Sequence, residues 1–287
     1  MLFFLHGGKL SREAVVAGAS HWRLHLVVAA STFILFPAIG LLIGTFGAGR
    51  IDADMLKGVL FFCLLPSTVQ SSIAFTSIGR GNVPAAICSA ASSNVAGIFI
   101  TPLLVGLFMA ETAKGGGISL QSIEAVVLQL LLPFIAGHLF RPRIAEFLTR
   151  HKSIISKADR SSILLVVYTA FSAAVVEGLW RRLSALDIAL VLVLDAIVLA
   201  IAVAATTFAA RTLGFSKEDQ IAIVFAGSKK SLASGVPMAG ALFPAAMVGP
   251  LLVPLMFFHQ MQLMVCAIMA KRFAARRNEP PLTTSGP

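Results

Sequence analysis

The sequence has 287 residues, of which 57% are hydrophobic and 13% charged, with a net charge of +10 and a mean hydropathy of +0.88. Soluble domains are about a quarter charged, so this composition excludes an ordinary soluble globule and leaves a membrane protein. The basic excess does not indicate nucleic-acid binding, because Lys and Arg sit in short clusters between apolar runs, without interleaved aromatics or a recognition motif.

Taken in chain order, the sequence opens on an apolar stub, MLFFL, about a quarter of a span long. Whole spans are predicted at 24–46, 55–79, 82–110, 118–140, 159–180, 187–210, 217–243 and 245–270. The expected fold class is therefore all-α: a polytopic membrane bundle of eight whole spans plus the stub. Backbone groups in hydrocarbon must be satisfied within their own segment, which favours helices, and the runs lack the alternation of barrel strands. Cys63, Cys88 and Cys266 all fall in apolar runs without metal-ligand spacing, so neither a disulfide framework nor a metal site is expected.

Sorting Lys and Arg by side places sixteen on one face, including the clusters at Arg141 and Arg143, at Arg150 and Lys152, and at Lys271 and Arg272. Five, Arg50, Lys57, Lys114, Arg181 and Arg182, fall on the other, while Lys229 and Lys230 lie inside a span. Basic loops stay inside, so the sequence predicts a plasma or inner membrane protein with a cytoplasmic C-terminus.

Two spans cannot be simple helices. The second carries Pro66 and the polar run STVQSSIAFTSIGRGN; the seventh carries Gly227, two lysines, Gly235 and Pro237. Irregular backbone at membrane depth is tolerated only where it is buried in protein or lines a cavity, and paired interrupted spans point to a transporter's substrate site. The breaks are five spans apart, which predicts inverted five-span repeats with two broken, crossing helices. The transporter domain is then 1–272, with an incomplete first repeat at 1–112, a second at 113–272, and a cytoplasmic tail at 273–287. By this arithmetic the chain is short of about one and a half helices at its start.

The stretches LLPSTVQSSIAFTSIGRGNVPAAICSAASSNVAGIFITPLLV, FSKEDQIAIVFAGSKKSLASGVPM and LMFFHQMQ resemble the bile acid:sodium symporter family, and more closely its outlying symporter-like branch, which has bacterial members. The resemblance implies ten spans in two inverted repeats. The sodium ligands of that family are mostly missing. Ser72 matches, but Ile73, Ala86 and Ala90 stand where an Asn, a Ser and a Thr belong. An E-x-G-x-Q-N motif is replaced by Val224, Phe225, Ala226, Gly227, Ser228 and Lys229, and a third-span Gln by Thr32. Sodium coupling is thus expected to be lost, with Lys229 or Lys230 standing in for the ion.

The candidate substrate-binding residues are Gln70, Ser71, Ser72, Ser228, Lys229, Lys230, Ser231, Thr32, His259 and Gln262. The candidate coupling residues are Lys229, Lys230 and Asp195, since charges at span centres cost about 2.5–3.5 kcal/mol and usually mark a pathway or a pair. Ser89, Ser92, Ser93 and Asn94 read as small packing residues, Asn82 as a cap. The expected function is secondary transport of a small organic anion, with no cofactor and with sodium or a proton as coupling ion. The alternatives are a sodium-coupled symporter or a non-transporting membrane regulator; an intramembrane enzyme lacks any H-E-x-x-H or G-x-S-x-G set.

Overall fold

A computed structural model of the chain describes residues 21–109, 132–151 and 184–276, with isolated positions outside them. Every regular element among these residues is helical. The stub, the span at 159–180 and most of the tail lie outside the described residues, apart from isolated positions.

Helix α1 (Trp22–Gly47) is followed by α2 (Ala53–Cys63), α3 (Gln70–Ile78), α4 (Val83–Phe108), α5 (Leu132–Arg150), α6 (Ala185–Thr212), α7 (Lys217–Gly227), α8 (Leu232–Leu242) and α9 (Ala245–Arg276). Four of these, α1, α4, α6 and α9, are long and apolar enough to cross a bilayer. The pairs α2/α3 and α7/α8 are each one expected span broken into two halves, as Pro66 and Gly227 predict. Helix α5 is described only from Leu132, inside the expected span at 118–140, and continues to Arg150. Helix α9 likewise runs to Arg276, past the expected start of the tail.

The helix starts are written in short polar side chains. The Asp52 carboxylate accepts from the amides of Asp54 and Met55, the Asn82 side chain from that of Ala85, and the Ser216 hydroxyl from that of Asp219. Ser184 and Asp187 form a reciprocal capping box at the head of α6. Asn82 also donates to the Asp219 carboxylate at 2.7 Å, tying the first turn of α4 to that of α7.

Aromatic packing ties the end of α2 to α9 and to the end of α8, and α1 to α9. Phe62 stacks on Phe258 at 4.6 Å, Phe36 meets the same ring edge-on, and Phe61 meets Phe243 edge-on at 5.3 Å. The outward faces are as apolar as the core: Ile34, Phe46, Leu107, Phe208 and Met264 are all exposed. A soluble surface would not carry that many large exposed apolar side chains; a lipid-facing one does.

Candidate functional site

The site begins with a steric accident of sequence. Pro66 has no amide hydrogen and pushes the residue before it out of the helical region, so α2 ends at Cys63 and the chain runs irregularly to Val69. Opposite it, α7 ends at Gly227, and Ser228, Lys229, Lys230 and Ser231 form the second break. Both lysines therefore sit in irregular backbone, not on a helix.

Each freed backbone group at these breaks must find a partner in a medium without water. In the first break, five successive carbonyls are accounted for. Those of Cys63 and Leu65 accept from Lys230 Nζ at 2.8 and 2.7 Å. That of Leu64 accepts from the Thr101 hydroxyl, that of Pro66 from the Ser231 amide, and that of Ser67 from the Asn94 side chain. In the second, the Val224 carbonyl accepts from Ser228, that of Phe225 from the Ser72 hydroxyl, that of Ala226 from the Ser67 hydroxyl, and that of Gly227 from the Ser31 hydroxyl. The two breaks thus touch and serve each other.

A polar clamp grips each break from the span that follows it. Ser93 accepts from the Ser67 amide while Asn94 donates to the Ser67 carbonyl. Gln262 does the same for Lys230 alone: Oε1 accepts from the amide at 2.9 Å and Nε2 donates to the carbonyl at 3.0 Å. The second Nε2 hydrogen points to His259 Nδ1 at 2.8 Å, so that nitrogen is the acceptor and the ring proton sits on Nε2. Ser93 and Asn94, expected as packing residues, are in fact structural hydrogen-bonding partners of the first break.

The two lysines differ sharply. Both are fully buried, at 0% exposure. Lys230 Nζ lies 2.8, 2.8 and 2.7 Å from the carbonyls of Thr32, Cys63 and Leu65, and 4.2 Å from the face of Phe36. Lys229 Nζ has one long hydrogen bond, 3.4 Å to the Ser71 hydroxyl, and lies over the rings of Phe75 and Phe225 at 4.7 and 5.5 Å. One amine is saturated and the other is not.

The remaining candidates fall in three groups. Gln70 opens α3 with its side chain exposed beside Ser71. Ser72, Ser228 and Ser231 are at the crossing, but their side chains are committed to the Phe225 carbonyl, the Val224 carbonyl and the first turn of α8. The Thr32 hydroxyl bonds back to the Val28 carbonyl, so Thr32 meets Lys230 through its backbone and not its side chain. Asp195 is fully buried on α6, and neither carboxyl oxygen has a hydrogen-bond partner; it is not bonded to either lysine or to a neighbouring hydroxyl.

Several contributors were not among the expected residues. Ser31, beside the expected Thr32, reaches the second break from a π-helical turn in α1, Ser31–Leu35. Such turns gather at functional sites, but nothing in the run STFIL announces one. Ser67, Thr68 and Phe36 were missed as well, though Ser67 sits beside Pro66 and its hydroxyl could have been noticed. A cavity of about 390 Å³ lies between α6, α7 and α9, lined by Thr207, Arg211, Lys217, Gln220, Ile221, Val224 and Phe273. Arg211 and Lys217 in its lining belong to the loop side expected to be cytoplasmic, and Val224, also in the lining, is the residue whose carbonyl accepts from Ser228.

The sequence profile of the SBF-like CPA transporter family matches residues 1–275. An uncharacterised protein of Pseudomonas aeruginosa is 54% identical over 279 residues, 97% of this chain and 84% of its own. YfeH of Escherichia coli, whose name designates it a candidate symporter, is 53% identical over 95% of this chain and 82% of its own. The mouse sodium/bile acid cotransporter 7 is 28% identical over 93% of this chain and 79% of its own. The last two carry the names of a symporter and a cotransporter, not of enzymes, and the chain belongs to the SBF-like CPA transporter family.

Proposed function

We propose that the chain is a secondary transporter of a small organic anion, whose charged group is received by Lys229 at the crossing of the two broken helices. One observation carries this reading: a completely buried amine with a single hydroxyl partner at 3.4 Å and two ring faces. A buried cation normally keeps several acceptors, and an incoming carboxylate or similar group would complete the set. Ser71, Gln70 and His259, which surround or adjoin the crossing, supply the neutral part of the site. The cavity lined in part by Arg211 and Lys217 serves as the cytoplasmic approach, where positive charge gathers anions.

The paired clamps on Ser67 and Lys230 favour the two-repeat architecture, since each is made by the span that follows a break. The basic bias of the loops favours a cytoplasmic C-terminus. Asp195 is the coupling residue in this reading. A carboxyl without a hydrogen-bond partner can take up and release a proton without breaking a structural bond.

Uptake of labelled organic anions into proteoliposomes, under an imposed sodium or pH gradient, tests the proposal. Lys229→Ala should reduce uptake roughly ten- to a hundredfold, the weight of one charge-assisted hydrogen bond. Asp195→Asn should leave the protein folded and remove stimulation by a pH gradient. Uptake untouched by Lys229→Ala would rule out the anion contact.

A further inference from the structure

The Lys230 side chain crosses from the second break into the first and ends among three backbone carbonyls. Carbonyls only accept. A neutral amine has two hydrogens to give, so three carbonyls at hydrogen-bond distance require the ammonium form. Cys63 is the last residue of half-helix α2, where the helix dipole concentrates negative potential, and Leu65 lies two residues beyond it in the break. The third, Thr32, is presented by the π-helical turn of α1. The Phe36 ring closes the cage with its negative face at 4.2 Å. This is the donor set of a cation site made of backbone oxygens, assembled from two segments distant in sequence.

A lysine is an unusual way to fill it. Nothing about a broken helix requires its carbonyls to converge within 3 Å of one point; ordinary repair uses separate hydroxyls and amides, as at Leu64, Pro66 and Ser67. Convergence is what a point charge demands. We infer that the carbonyls of Thr32, Cys63 and Leu65 form a monovalent-cation cage, that Lys230 is its tethered occupant, and that shortening Lys230 opens the cage to a free cation. Of the two lysines, only Lys230 stands in for an ion. The inference concerns binding and stability, so it can fail while the transport reading holds, and the reverse.

The test is thermal unfolding of the purified full chain in sodium, potassium, choline and n-propylammonium chloride. Lys230→Ala removes the atoms of one propylamine, so propylammonium matches the space left, while choline is too large for it. The native chain should unfold at the same temperature in sodium and choline, because its cage is filled. Lys230→Ala should unfold lower in choline and recover by about 5 °C or more in propylammonium or sodium, saturably. Lys230→Met and Lys230→Gln fill the cage with neutral atoms and should not respond to either cation. A Lys230→Ala chain indifferent to all four salts would overturn the inference. So would a native chain with a saturable sodium shift. So would a Lys230→Ala chain that fails to fold in every salt while Lys230→Gln folds, since a free cation would then be unable to hold the cage.

Discussion

Gln262 illustrates how much one side chain carries when water is absent. Its amide satisfies both the N–H and the C=O of Lys230 and orients His259 with the hydrogen left over. Gln262→Leu keeps the volume and strips both backbone partners, leaving a buried donor and a buried acceptor unpaired at about 1–3 kcal/mol each. The expected outcome is a loss of about 3 kcal/mol or more, seen as a marked drop in unfolding temperature. A Leu variant as stable as the native chain would mean that the second break finds other partners. The candidate residues were legible in the sequence to the extent that they broke a pattern. Lys229, Lys230 and Asp195 stand out because charge is rare at span centres, Ser71 because it is polar just after a break, and Gln262 because it lies about one turn from His259 on an apolar last span. What the sequence did not separate was the two lysines. Adjacent residues in irregular backbone point in different directions, and only the fold decides that one meets three carbonyls and the other a hydroxyl.

The helices themselves were largely readable, and for a physical reason: a span needs about twenty apolar residues and a polar cap, both of which are local. The expected spans at 82–110 and 187–210 became α4 and α6 with ends shifted by only one or two residues. The breaks were readable because proline and glycine act on their own backbone. The π-helical turn was not, because no residue in the run Ser31–Leu35 is one that by itself sets such a turn. Close approach between elements is equally invisible until the partner is known. Gly97 lies on α4 directly over Pro66, where an added Cβ would sit 2.7 Å from the proline ring carbon Cβ. Gly97→Val should push α4 away from the break, loosen the Ser93 and Asn94 clamp, and lower both unfolding temperature and uptake. Gly44, by contrast, has open space around its Cβ position, so Gly44→Ala should be tolerated, or stabilise by about 0.5–1 kcal/mol through helix propensity. Equal effects from the two substitutions would dissociate the clamp from the close packing of Gly97.

At the scale of the whole molecule, sidedness rests on the unequal loops. A C-terminal green fluorescent protein fusion should fluoresce, and a C-terminal alkaline phosphatase fusion should be inactive, if the side bearing sixteen basic residues is cytoplasmic; the opposite pair of results would invert the bundle. Sidedness then gives the Lys230 tether an electrical meaning. A carrier whose cation dissociates adds that ion's gradient to the movement of its anion. One whose cation is part of the chain moves the anion's charge alone, and the membrane potential acts on it directly. Inside-negative potential drives a monovalent anion outward by about 2.3 kcal/mol per 100 mV, roughly a fiftyfold concentration ratio. On this reading the carrier is poised for export unless a proton accompanies the anion, and the carboxyl of Asp195 governs that choice.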